Sequence, residues 1–202
     1  MRTLVALLRG VNVGGNCMLS MADLAALCTR LGFADVRTYI QSGNVVFRTE
    51  LTADRARAAL QHALATHMGR PIDVVVRDAD ALRRVLAENP FAQAEGAKVA
   101  VLFCAEPVPK GLVDGLSGPD GEVVIAAGRE VYVHYVQGMG RSKLKLPKAL
   151  GVLTVRNANT VAKLSAMADA LAAILPRATS PGGRAGSASG SAAAARTVRR
   201  PR

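Results

Sequence analysis

Residues 3–8, TLVALL, are apolar without alternation, the pattern of a strand covered on both faces. A loop follows within LLRGVNVGGNCMLS (residues 7–20), and Ser20, with Asp23 three residues on, marks a helix start. Leu24, Leu27, Cys28 and Leu31 then recur at helical spacing, and Gly32 closes the helix. VRTYI (36–40) and NVVFRT (44–49) read as two strands joined by QSG, a hairpin in which Gly43 is free to take positive φ. Thr52 caps a second helix with Ala56, Leu60, Ala63, Leu64 and His67 on one stripe, and IDVVV (72–76) is the next strand. The order βαββαβ is the ferredoxin-like order.

A second series follows. Asp78 caps a helix through Leu82, Val85 and Leu86 that stops at Asn89–Pro90. KVAVLFC reads as a strand, residues 108–116 as a short Pro-bounded helix, and EVVIAA with EVYVHYV as a hairpin around Gly128–Arg129. A helical stretch is expected over 142–150. The last helix starts near Asn157 and carries Val161, Leu164, Ala168, Leu171 and Ile174–Leu175 on one face. The second half thus resembles βαββα, a duplication of fold without residue-by-residue alignment of the halves.

The division expected is a first ferredoxin-like subdomain over 1–77, a second with the C-terminal helix over 78–175, and a basic tail over 176–202. The fold class is α+β, with the two subdomains packed together. The tail is rich in Ser, Gly, Ala and Arg, cannot bury a core and is expected to be disordered.

Charge sharpens this division. Of 26 lysines and arginines, six arginines lie from Pro176 onward with no acid beside them, leaving 20 against 15 acids, a net +5, for the body. The body is moderately basic, and the tail's arginines leave weak contact with nucleic acid open. With no Trp, three Tyr and four Phe, the chain is poor in the aromatics that stack bases. Cys17, Cys28 and Cys104 are widely spaced, which argues against a disulfide framework or a zinc site and suits a reducing cytosol. Residues 4–8 are too short a run for a signal peptide, and no stretch is long enough to span a membrane.

In a βαββαβ unit, strands one and two run the same way with strand three between them. The loop after strand one and the strand two–three hairpin therefore meet at one sheet edge. Arg9, Asn12, Gln41, Ser42 and Asn44 come together there beside several glycines, the ingredients of an anion pocket. The same glycines also serve simply to turn the chain. YVQGMGRSKL (135–144) brings Arg141, Ser142 and Lys143 to a helix start without the Walker spacing, so a P-loop is excluded. In TVRNANTVAKL (154–164), Asn157 or Thr160 suits a helix cap, with Arg156 just outside it and Lys163 as a surface lysine. His62, His67 and His134 form no ligand set, and no paired carboxylates stand out. Cys17 sits in a loop near a helix N-terminus, a setting that lowers a thiol pKa, without an identifiable base.

LLRGVNVGG, MADLAALCTRLGFADVRTYIQSGNVVF, YVQGMGRSKL and TVRNANTVAKL, in this order, resemble the bacterial family called domain of unknown function 1697 over residues 1–174. The resemblance implies two packed ferredoxin-like α+β subdomains and no established activity. It also implies a set of recurrent polar positions: Arg9, Gly10, Asn12, Gly14 and Gly15; Gln41, Ser42, Gly43 and Asn44; Gly138, Arg141, Ser142 and Lys143; Arg156, Asn157, Thr160 and Lys163. Relatives commonly have lysines where this chain has Asn16 and Cys17, and many have a Trp where it has Ala158.

Three functions remain open. One is binding of a phosphate-bearing small molecule or nucleotide by the glycine loops with Arg141, Lys143, Arg156 and Lys163. Another is nucleic-acid binding, and the third is an enzyme acting on an anionic substrate. No cofactor, metal or membrane partner is expected, and the chain reads as a monomer or weak dimer. The ligand set expected is Arg9, Gly10, Asn12, Gly14, Gly15, Gln41, Ser42, Gly43, Asn44, Arg141, Ser142, Lys143, Arg156, Asn157 and Lys163.

Overall fold

The structure, a computed structural model, describes residues 1–14 and 18–173. The expected disordered tail, the Ile174–Leu175 end of the last helix, Gly15 and Cys17 lie outside the described residues. Strand β1 (Arg2–Leu8) leads to helix α1 (Met21–Arg30), strands β2 (Ala34–Tyr39) and β3 (Asn44–Thr49), helix α2 (Ala53–Met68) and strand β4 (Val74–Asp78). Helix α3 (Ala79–Ala87) follows, then strands β5 (Val99–Cys104), β6 (Val123–Ala127), β7 (Glu130–His134) and β8 (Leu153–Asn157), and helix α4 (Ala158–Ala172). Among the described residues this is a mixed α+β fold with two four-stranded antiparallel sheets and four helices.

The caps behave as their chemistry demands. Ser20, Thr52, Asp78 and Asn157 each accept a backbone N–H of the first turn and so satisfy one of the helix's orphan donors. Helix α2 ends at Gly69 in the left-handed region, where a side chain costs free energy.

The first sheet has the order β2-β3-β1-β4 and the second β6-β7-β5-β8. Their registers match pair for pair. Leu7 lies opposite Asn44 and Phe103 opposite Glu130, while Val5 lies opposite Arg77 and Val101 opposite Arg156. The halves are therefore related strand by strand.

Strands β1, β3 and β5 are covered on both faces, which accounts for their unalternating apolar runs, while the edge strand β6 leaves Val123 and Ile125 exposed. Leu4, Ala6, Leu8 and Phe47 pack beneath Leu24, Leu27, Leu60 and Leu64 of α1 and α2. Val5, Leu7 and Val46 share a middle core with Phe103 and Tyr132 of the second sheet and with α3 and α4. The far face of the second sheet packs on Val113, Leu144 and Leu150. Each fully buried Leu or Phe contributes about 1.5–3 kcal/mol of transfer free energy.

Three expectations for the second half are corrected. Residues 108–116 form turns rather than a helix, with Leu112 N–H bonded to the Pro109 carbonyl. In place of a helix over 142–150, residues 142–147 run as loop between two 3-10 turns, Met139–Arg141 and Lys148–Leu150. Their apolar residues are short inserts that cover a sheet face. The βαββα order expected no further strand before the last helix, yet Leu153–Asn157 forms the edge strand β8, pairing with β5.

Candidate functional site

The loop after β1 and the β2–β3 hairpin are neighbours, as strand order requires. The Leu8 N–H donates to the Gly43 carbonyl at 2.8 Å, and Arg9 N–H to the Asp73 carbonyl at 2.9 Å. Asn12 joins the two loops. Its amide donates to the Gln41 carbonyl at 2.7 Å and the Leu19 carbonyl at 2.9 Å, and its Oδ1 accepts the Leu19 N–H at 2.8 Å.

These bonds hold Asn12 at φ 57°, between Gly10 and Gly14, both at 66°. Val11 and Val13 are not in the left-handed region, so the handedness alternates along the loop. Alternation of this kind turns successive backbone N–H groups toward one concavity, an anion-binding nest. The N–H groups of Gly10, Val11, Asn12 and Val13 find no acceptor among the described residues. A Cβ on Gly10 or Gly14 would meet nothing within 4 Å. Gly43 differs. At φ 76°, a Cβ there would lie 2.5 Å from Val11 Cγ2 and 2.8 Å from Leu8 Cβ, so only glycine lets the hairpin close on the loop.

The end of β8 enters this junction. Arg156 is only 7% exposed, and its fork reaches across to the first sheet. Nε donates to Asn44 Oδ1 at 2.5 Å; Nη1 donates to Thr154 Oγ1 and the Val155 carbonyl; Nη2 donates to the carbonyls of Leu8 at 2.9 Å and Ser42 at 2.8 Å. All five N–H donors are placed, and every acceptor is neutral. Burial lowers the guanidinium to about 10, so it stays charged at neutral pH. Asn44, fully buried, completes the knot by donating to the Tyr39 carbonyl and Ser42 Oγ.

A cavity of about 320 Å³ lies over this knot, lined by Arg9, Gly10, Val13, Ser42 and residues 153–156 among others. Arg9 is half exposed and pairs with Asp73 at 3.0 Å. Among the described residues, the cavity lining contains no carboxylate, histidine or cysteine. A larger depression of about 570 Å³ lies at the start of α1, lined by Asn12, Gln41, Ser20 and Asp23 among others.

The structure thus gathers Arg9, Gly10, Ser42 and Arg156 around one cavity, with Asn12, Gly43 and Asn44 shaping its walls. The other expected residues lie elsewhere. Arg141 and Lys143 are exposed outside this cavity, and the Ser142 hydroxyl donates to the carboxylate of buried Glu122. That hydroxyl holds the Glu122 carboxyl below the usual range. Asn157 caps α4 through the Thr160 N–H, and Lys163 points to solvent. The sequence reading missed Asp73 and Thr154, which position Arg9 and Arg156. Asp73 lies in no motif, and Thr154 only opens TVRNANTVAKL; strand pairing is what brings both to the junction.

A chain of two like-ordered sheets with this loop-and-arginine junction falls in an uncharacterised bacterial class. It belongs to the family described as Protein of unknown function (DUF1697), which matches residues 1–132. It is similar to the solved structure of the conserved bacterial protein SP0830 from Streptococcus pneumoniae. The TM-score is 0.68 at 25% identity, over 84% of this chain and 99% of that one. No curated protein matches the chain.

Proposed function

We propose that this protein binds a small molecule bearing a phosphate or similar anionic group at the junction of the first loop, the hairpin and β8. The observation that carries this reading is the alternation of left-handed residues at Gly10, Asn12 and Gly14, which presents backbone donors beside the Arg156 cavity. The cavity is of the size small ligands use. Among the described residues its lining offers no carboxylate or imidazole to act as general acid or base, which favours binding over catalysis. The inner strands of both sheets are covered on both faces, which removes the platform on which RRM-type modules stack bases.

Each half is on this reading a ferredoxin-like unit, divided near residue 77, with α4 at the end of the second. The βαββαβ order of the first half and the like sheet orders support it. A reducing cytosol suits the buried free thiols Cys28 and Cys104. No helix among the described residues is long and apolar enough to cross a membrane.

The test is a thermal-shift screen of the full chain against nucleotides, sugar phosphates, inorganic phosphate, short RNA and single-stranded DNA at low and high salt. A rise of several degrees with a small phosphate compound that persists in salt is expected. Shifts only with nucleic acid, and only at low salt, would replace this reading with tail-driven binding.

A further inference from the structure

The segment VRDADAL (residues 76–82), where β4 runs into α3, recurs as VRNANTV (155–161), where β8 runs into α4. The two arginines of this repeat, Arg77 and Arg156, cross to the opposite half in the same way. Each donates through Nη1 to the carbonyl of the residue before it, Val76 or Val155. Each donates through Nη2 to the last carbonyl of the opposite half's first strand, Cys104 for Arg77 and Leu8 for Arg156. Each donates through Nε to the first residue of the opposite half's third strand, Glu130 for Arg77 and Asn44 for Arg156.

The symmetry breaks at that last position. Arg77 meets a carboxylate at 2.7 Å, and Arg156 meets a neutral amide. Both arginines are nearly buried, at 6% and 7% exposed, so the difference is felt in a low-dielectric setting.

A cavity of about 320 Å³ accompanies each arginine. The one beside Arg77 is lined by three arginines, Arg77, Arg84 and Arg129, and three carboxylates, Asp78, Glu88 and Glu130, and is balanced. Among the described residues, the one beside Arg156 is lined by Arg9 and Arg156 and by no carboxylate; Asp73 pairs with Arg9 from outside the lining, and no carboxylate pairs with Arg156.

We infer that the Arg156 cavity holds a net positive charge built into the fold, which selects ligands presenting a compact anionic group of the phosphoryl class, whereas the Arg77 cavity is neutralised by Glu130. This rests on the binding reading above and adds the source of its charge selectivity. All five donors of Arg156 are committed to the frame, so the guanidinium acts through its field, and the loop N–H groups make the bonds. The two roles are separable. The guanidinium sets which charge enters, and the loop sets where it sits.

The experiment titrates the full chain with inorganic phosphate, following heat and the Nε–H NMR signals of both arginines, and repeats the titration with Asn44→Asp. That substitution gives Arg156 the kind of partner Arg77 already has. The wild-type Arg156 signal should move saturably while Arg77 stays still, and Asn44→Asp should weaken phosphate affinity about tenfold or more. Unchanged affinity in a folded Asn44→Asp chain, or equal movement of both arginine signals, would overturn the inference while leaving the loop's binding role intact. If Asn44→Asp does not fold, the comparison of the two wild-type signals decides. No uptake of phosphate by the wild type would overturn this inference and count against the binding reading. The two readings separate again if another anionic compound of the screen binds with Arg156 unmoved, which sinks the charge inference alone.

Discussion

Arg156 Nε and Asn44 Oδ1 lie 2.5 Å apart, joining the last strand of the second sheet to the first residue of β3. The bond links residues far apart in sequence and stands at the centre of the proposed site. The site's shape and the chain's stability therefore depend on the same side chains.

Replacing Arg156 with Met strands the carbonyls of Leu8 and Ser42 and the Asn44 Oδ1 in a buried setting. A loss of about 3–5 kcal/mol is expected, read from the shift in urea midpoint. Arg156→Lys should recover only a minor part, since an ammonium cannot reproduce the planar fork. A loss under about 1 kcal/mol for Arg156→Met would show that the knot contributes little.

Arg9 and Asn44 are separated by the structure although both read as ligand groups in the sequence. Arg9 and Asp73 are partly exposed, so Arg9→Ala should change stability by no more than about 1 kcal/mol while weakening phosphate binding. Asn44→Ala leaves Arg156 Nε and the Tyr39 carbonyl without partners and should cost about 2–4 kcal/mol. Paired melts and phosphate titrations of the two variants check this contrast.

The two kinds of loop glycine predict different losses. Gly43→Ala drives a methyl into Val11 and Leu8 in addition to its positive φ, and should cost about 3 kcal/mol or more. Gly10→Ala has open space and bears only the left-handed penalty of about 1–2 kcal/mol. Equal losses at both positions would refute the claim that Gly43 is a close-approach glycine.

How much of this the sequence shows depends on the kind of interaction. The first half was legible because its caps and periodicities are local: Ser20, Thr52 and Asp78 cap where side-chain chemistry places them. The adjacency of the first loop and the hairpin followed from strand order alone. The second half was less legible. Its helix-like runs at 108–116 and 142–150 are coverings for a sheet face, and burial overrides their periodicity. The role of Arg156 was hidden because three of its acceptors are backbone carbonyls of the other half, those of Leu8, Ser42 and Gly43, which no side-chain motif encodes. The repeat of VRDADAL in VRNANTV lies in the sequence, but the halves read there as unaligned, and it is the matching bonds of Arg77 and Arg156 that bring it out.

Alkaline stability gives a further check. Cys28 is wholly buried, and burial pushes its thiol up to about 12 from 9.0. The folded state thus disfavours the thiolate that the unfolded chain forms freely. The stabilisation is complete below pH 9.0 and is lost as pH climbs from there toward 12. Tyr132 is shifted upward by burial as well and adds to the loss at higher pH. Urea midpoints between pH 8 and 10.5 should fall with pH, and the slope should be shallower in Cys28→Ala. An identical slope in the variant would contradict the burial of that thiol.

The most direct test of the central claim is an amide NMR titration of the full chain with inorganic phosphate at two ionic strengths. The account predicts saturable shifts at Gly10, Val11, Asn12, Val13 and Gly14, retained at the higher salt. Shifts confined to Arg141–Lys143 or to the arginines after Pro176, or none at all, would contradict it.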